Sequence, residues 1–207
     1  MLCLGVGLQT TPYQLGAFAP ALGDTHVQCI LPEGAIELAE NFTRLPLVRI
    51  GGRYTVHNRH TQQLEPCTGL EAALQAFLTF LETMKQRVRP AYDGVVLVSY
   101  TKEATPVLLQ RLEQHGLLQR FWRTVASLGD LAQYIKEVHA EGPMFQSYVN
   151  THGLLDLMPL DQAYVCAFKR KGNLEGLFMD LRANYVYQIL LQLHQKEPTY
   201  ANFYRVS

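Results

Sequence analysis

The side chains that could do chemistry are few and far apart. Glu175 and Asp180 fall on what reads as the last helix, and carboxylates are what a hard divalent cation needs. Two acids alone do not make such a site. His57 and His60 are close in sequence, but without further ligands a loop pair of this kind is ordinarily solvated rather than metal-bound. Gly5-Val6-Gly7 is not followed by the glycine-rich turn of a dinucleotide site and reads as strand glycine. No Ser or Cys lies in a nucleophile elbow. The remaining candidates are cationic. Lys169-Arg170-Lys171 is the best phosphate-contact run, and Lys85, Arg87 and Arg89 are a second one. Each has a plainer reading, the first as an exposed loop and the second as cations complementing a helix carboxyl end.

Composition narrows the classes. Lys+Arg and Asp+Glu are 18 each, so the formal charge is zero, and any nucleic-acid contact must come from a local patch. With 48% hydrophobic and 17% charged residues, the chain of 207 residues reads as one globular domain spanning 1–207. Cys3, Cys29, Cys67 and Cys166 have no metal or redox spacing and read as isolated buried thiols. The start Met1-Leu2-Cys3-Leu4 has no charged leader, and no apolar run reaches membrane-spanning length. The expectation is a cytoplasmic protein with no cofactor, no metal and no membrane partner. Asn41-Phe42-Thr43 is then a chance glycosylation match.

The elements must place these residues. Residues 93–128 organise the rest. The run Val95-Val96-Leu97-Val98-Ser99-Tyr100 is short, β-branched and continuous, as a strand buried on both faces is. Thr105-Pro106 opens a helix with a capping hydroxyl, Leu108, Leu109 and Leu112 follow at helical spacing, and Gly116 stops it. Arg123–Ala126 is strand-like, and Ser127-Leu128-Gly129-Asp130 starts a helix with Leu128, Leu131, Ile135 and Val138 on one face. Before this unit, residues 2–8, 13–19 and 26–31 read as strands, with Thr10-Thr11-Pro12 and Gly23-Asp24 as turns. Ala35, Leu38, Ala39 and Phe42 suggest a short helix, and Leu47–Val56 is a hairpin or a loop crossing the sheet edge. Thr68 and Glu71 form a capping box for a helix with the stripe Leu70, Leu74, Phe77, Leu78, Leu81 and Met84, closed by Pro90. After Gly142-Pro143, residues 144–172 predict short helices and loops. A last helix from Asn173 to about Gln195 turns Leu174, Leu177, Phe178, Leu181, Tyr185 and Ile189 inward. The class is α/β, a mixed sheet flanked by helices.

Three strands, helix, strand, helix, strand and helices is the layout of the RNase H-like 3′–5′ exonucleases. Such enzymes carry an acid pair on the first strand, a third acid after the fourth and a base plus a fourth acid on the last helix. Together these hold two metals about 4 Å apart, which several negative charges must stabilise. Here the first-strand stretch is Gly7-Leu8-Gln9-Thr10-Thr11, with Gly7 and Gln9 at the acid positions. Ala104 or Thr105 stands at the third, and Glu175 and Asp180 occupy the base and fourth-acid positions. One carboxylate from four does not build a two-metal site, so the expectation is a pseudo-exonuclease with no catalytic residues. The alternatives are a protein–protein interaction module without RNA contact, and a residual hydrolase using Asp180 and Glu175.

The chain resembles the exonuclease-like domain of the Exuperantia family. The likeness runs through Leu4-Gly5-Val6, Thr10-Thr11 and Val48–Gly51, and is most specific at Leu74–Leu78, Asp93–Leu97 and Leu112–Phe121. It returns at Arg182-Ala183 and Leu191–Leu193. A second resemblance, over the Leu70–Met84 pattern, is to the exonuclease-like tail of the promyelocytic leukaemia protein. What the Exuperantia resemblance implies is a catalytically degenerate exonuclease fold. It implies homodimerisation and an RNA-associated role in maternal mRNA localisation, with the mRNA 3′ untranslated region and partner proteins as partners. The family also carries a SAM-like domain, of which the sequence up to Ser207 shows no pattern.

Overall fold

The computed structural model describes residues 3–11, 14–31, 47–58, 62–88, 94–100, 104–139, 142–153, 155, 158–170 and 179–194. In chain order the elements are β1 (Cys3–Thr11), β2 (Gln14–Ala19), β3 (Asp24–Ile30), β4 (Leu47–Ile50), β5 (Arg53–Asn58) and β6 (Gln63–Thr68). Then come α1 (Leu70–Val88), β7 (Gly94–Ser99), α2 (Ala104–Gln114), α3 (Leu118–Thr124) and β8 (Val125–Asp130). The chain continues through α4 (Leu131–His139), α5 (Gln146–His152), α6 (Leu160–Phe168) and α7 (Met179–His194). The sheet is eight-stranded in the order β4-β5-β6-β3-β2-β1-β7-β8. β1, β2 and β3 are antiparallel neighbours, whereas β7 runs parallel to β1 and β8 runs parallel to β7. The core order 3-2-1 followed by two parallel strands is an RNase H-like sheet, extended outward by β4–β6.

β7 shows why helices cover both sides. All its residues are buried, and a strand sends alternate side chains to opposite faces. Val95 and Leu97 join Val6 and Leu8 of β1 beneath Leu74, Phe77, Leu78 and Leu81 of α1 and Leu108 and Leu112 of α2. Val96 and Val98 face the other way, against Leu131 and Ile135 of α4, Ala163 of α6 and Val186 and Leu190 of α7. No described helix is long and apolar enough to cross a membrane.

Several boundaries differ from the sequence reading. Thr10 and Thr11 continue β1, paired with Leu15 and Gln14, rather than forming a turn. β4 and β5 are a hairpin about Gly51-Gly52, which decides between the two readings of that stretch. β6 was not among the expected strands, and it contains Pro66, which cannot donate to a ladder. The structure accommodates it by pairing β6 with β3 only at Cys29–Cys67 and Ile30–Thr68. This pairing holds Thr68 in the strand, so the capping box with Glu71 does not form. The Thr68 hydroxyl donates to Gln28 Oε1 at 3.3 Å, and the Glu71 carboxylate accepts from Gln75 Nε2 at 3.1 Å.

α2 begins at Ala104, which puts Thr105 inside the first turn instead of at its cap. Its Oγ1 shares a 3.1 Å hydrogen bond with Ser99 Oγ. Gly116 ends the helix as expected: its φ is 67°, and Leu117 N–H reaches back to Leu112 O at 2.7 Å, the Schellman closure that favours glycine. Leu128 belongs to β8, and α4 starts at Leu131. On α7 the buried residues include Ala183, Val186, Ile189, Leu190 and Leu193, while Leu181 and Tyr185 are only half-buried. The expected helix at Ala35–Phe42 and the start of the last helix at Asn173 lie outside the described residues.

Candidate functional site

In α/β sheets, ligands approach the carboxyl ends of the parallel strands. Here that edge gathers Gly7 and the residues after it on β1, Ser99 and Tyr100 at the end of β7, and Asp130 at the end of β8. The register sets Gly7 opposite Val98 and Ser99 opposite Asp130. Of the positions at which exonuclease acids were sought, the structure puts Gly7 of β1 against Ala183 of α7 and Thr105 of α2 against Ser99 of β7.

The β7 end is closed by its own hydrogen bonds. Ser99 and Thr105 are buried and satisfy each other's hydroxyls. Tyr100, also buried, donates its hydroxyl to Met158 O at 2.9 Å, and burial pushes its phenol well above the usual range. Asp130 is the buried carboxylate of this edge. Its Oδ1 accepts from Ala132 N–H at 2.9 Å and Gln133 N–H at 3.2 Å, so it caps α4. Sequence reading placed it within a helix start but missed it as the acid of this edge; the Asp followed by an amphipathic segment was the available signal.

Gly7 decides the space. Val6 and Leu8 point to the α1 side, so position 7 faces α7. A Cβ built there would lie 2.3 Å from Ala183 O and 3.0 Å from its carbonyl carbon. Carbon and oxygen approach comfortably only at about 3.3 Å or more. The α7 backbone therefore sits where any side chain at position 7 would begin. Asp180 is in the first turn of α7. Gln9 pairs with Gly16 in the β1–β2 ladder, and Ala104 is the first residue of α2. Glu175 lies outside the described residues. Beside Ala183, burial lowers the Arg182 guanidinium, opposed by the charge of Asp161.

The two basic candidates are not brought together. Lys85 and Arg87 end α1, which packs on one face of the sheet, whereas Lys169 and Arg170 follow α6 on the other. Lys85 Nζ donates to Arg123 O at 2.7 Å, and Arg87 pairs with Asp24. Lys169 takes a left-handed conformation, φ 55°, as the cap of α6, and its Nζ reaches Met144 O at 3.5 Å. Arg170 donates to Tyr164 Oη at 3.0 Å and lies 5.7 Å over the Phe168 ring. Arg89, Lys171 and His60 lie outside the described residues, and His57 is half-buried on β5. Among the described residues, no three His, Cys, Asp or Glu side chains converge as a metal site requires.

Sequence reading also missed an apolar outer surface. Cross-strand neighbours share a face, and the register aligns Val48 with Thr55, Thr55 with Pro66, Ile50 with Arg53 and Leu64 with His57. Val48, Ile50 and Leu64 are therefore on one side of the β4–β6 hairpins, exposed by 38%, 50% and 47%. β4 is moreover a terminal strand of the sheet. Cys29 and Cys67 are not isolated thiols, as expected from their spacing, but register partners across β3 and β6.

Comparison with known proteins agrees with this architecture. The family model described as the Exuperantia RNAse H-like domain matches residues 13–152. A relative, the "Maternal protein exuperantia" of Drosophila melanogaster, is 28% identical over 139 residues, covering 62% of this chain and 26% of that protein. The match thus spans about a quarter of the relative's length. The family match runs from β2 to α5, so Gly7 and Ala183 lie outside it.

Proposed function

The chain belongs to the Exuperantia RNAse H-like family, and from that premise we propose that it is a catalytically silent exonuclease-like domain. In this reading it is a cytoplasmic, RNA-associated adaptor in mRNA localisation, engaging 3′ untranslated regions with partner proteins and acting as a homodimer. The supporting observation is the approach of α7 to β1. A metal-binding acid at position 7 needs room for at least a carboxylate and a cation, and Ala183 O stands 2.3 Å from where its Cβ would be. With Gln9, Ala104 and Thr105 at the other strand and helix positions, the negative charge that two closely spaced divalent ions require is missing.

RNA association is tested by titrating labelled single-stranded and stem-loop RNA at several salt concentrations. Phosphate contacts give affinity that falls with salt at a log–log slope of about −0.9 per contact on duplex and −0.7 on single strands. Lys169→Glu with Arg170→Glu should flatten that slope. Binding that is absent, or indifferent to salt both alone and with partners, overturns the RNA part. Silence is tested in parallel with 5′-labelled RNA and magnesium or manganese. Shortening that disappears in Asp180→Asn would establish a residual hydrolase instead.

A second reading, a protein-association module without RNA contact, draws on the exposed Val48, Ile50 and Leu64 and on the zero formal charge. Cross-linking separates the two. Association that survives Lys169→Glu with Arg170→Glu in the absence of RNA favours the module.

A further inference from the structure

The outer strands β4–β6 are attached to the rest of the sheet through a short seam. β2 and β3 pair along their whole length, from Gln14–Cys29 to Ala19–Asp24, but β3 and β6 pair only at Cys29–Cys67 and Ile30–Thr68. Leu31 N–H adds one bond to Thr68 O at 2.8 Å. Two cysteines thus occupy one of the two register positions of this seam.

We infer that Cys29 and Cys67 form a reversible oxidation site, which glutathione disulfide closes into a cross-strand disulfide that staples β6 to β3. Neighbouring strands lie about 4.8 Å apart, and disulfides span Cα separations of roughly 4.4–6.8 Å, so register partners need only small adjustments. The pair stands next to the end of β3. Cys29 is 2% exposed and packs with Val56, whereas Cys67 is half-buried. Their unequal exposure assigns the roles, Cys67 being the sulfur that a soluble disulfide reaches first. The Cys29 thiol donates to Cys67 Sγ, which holds the Cys67 thiol below its ordinary range, while that same bond and burial raise Cys29. Gln14 Nε2 adds a donor to Cys29 Sγ at 3.6 Å.

The chemistry balances without a metal. The Cys67 thiolate attacks one sulfur of glutathione disulfide and expels a glutathione thiolate, leaving a mixed disulfide at Cys67. Cys29 loses its proton to that departing thiolate and attacks Cys67 Sγ, expelling the second glutathione. Two protein thiols are oxidised, and one glutathione disulfide is reduced to two glutathiones. The product closes a loop that contains β4 and β5, so it restricts the unfolded chain.

The test equilibrates the folded chain with glutathione redox buffers, quenches in acid, alkylates and maps peptides. The expected product is lighter by about 2 Da, carries a Cys29–Cys67 linked peptide and reverts with dithiothreitol. Its apparent Tm rises by at least about 5 °C. Cys67→Ser, a change at the half-buried partner, should abolish both the linkage and the Tm gain. A glutathione adduct that persists at Cys67, linkage of either residue to Cys3 or Cys166 instead, or a linked form no more stable than the reduced one would each overturn the inference.

Discussion

Replacing Gly7 by alanine is the sharpest probe of the closed edge. The new Cβ would meet Ala183 O at 2.3 Å, about 1 Å inside the nearest comfortable approach. The obstacle is backbone, so no rotamer relieves it; β1 and α7 must part. Ala183, Val186 and Leu190 on that helix are fully buried with Val96 and Val98 across from them, so parting loosens a packed layer. Overpacking of this kind costs about 1–3 kcal/mol or more, and the alanine recovers only about 0.4–1 kcal/mol by restricting the unfolded chain. A clash with backbone takes the upper end of that range, about 3 kcal/mol, so the expected net loss is about 2–2.5 kcal/mol. Urea unfolding followed by far-UV circular dichroism would show it as a lower midpoint at unchanged m, with Tm lower by about 5–10 °C. Gly69→Ala is the control: nothing lies within 4 Å of its Cβ and its φ is not positive, so it should lose only what alanine costs at the N-cap of α1, about 0.5–1 kcal/mol. A Gly7→Ala loss below about 1 kcal/mol, or equal losses at the two sites, would refute the claim that the α7 backbone fills the acid position.

His26 stacks 5.2 Å from Phe80 and 5.9 Å from Phe77, and burial lowers its pKa to about 4. In the window from pH 6.5 to 4 the unfolded chain takes up a proton that the folded one refuses, so stability present above pH 6.5 is lost as pH falls. The loss is about 2 kcal/mol at pH 5, and the unfolding free energy of wild type minus that of His26→Phe, from denaturant titrations, should fall by that amount from pH 7.5 to 5; a constant difference would refute it. Asp130→Ala strips the acceptor from Ala132 and Gln133 N–H and should cost about 1–2 kcal/mol, with hydrogen exchange accelerated first in α4. Ile50→Asp should leave Tm within about 2 °C, since half of that side chain is exposed. If β4–β6 carry the dimer contact it should shift sedimentation to the monomer; an unchanged dimer would place the contact elsewhere.

What was legible in the sequence was local. β7 announced itself by six consecutive buried residues, and α1 by Leu74, Phe77, Leu78, Leu81 and Met84 at helical spacing. Gly116 was readable because one residue type suits a positive φ. The residue types at positions 7, 104 and 105 were legible. The closure at position 7 was not, because Gly7 and Ala183 meet only once α7 has packed on the finished sheet. Cys29 and Cys67 escaped for the same reason: their contact depends on a parallel pairing between strands separated by a hairpin. Leu128 misled because an apolar residue ahead of Leu131 fits a helix period as well as a buried strand end. α3 is too short, at seven residues, to display a period of its own.

The physical consequence is that introducing carboxylates at these positions would not by itself make a metal site. An acid at position 7 must first push α7 outward, and an acid at Thr105 would displace the hydroxyl that Ser99 uses inside a buried layer. A charge at position 7 or 105 would also be desolvated beside buried Ala183 or Ser99, so the first acid is disfavoured until the cation arrives to offset it. The cation cannot arrive until several acids are present. Packing and electrostatics therefore oppose the same change, and a stepwise series (Gly7→Asp, then Thr105→Asp) should lose stability at each step. Added magnesium should recover none of it before the series is complete, as thermal melts with and without the ion would read out. Recovery already at the first substitution would mean that the edge is open, and that α7 rests on Gly7 by choice of conformation rather than by packing.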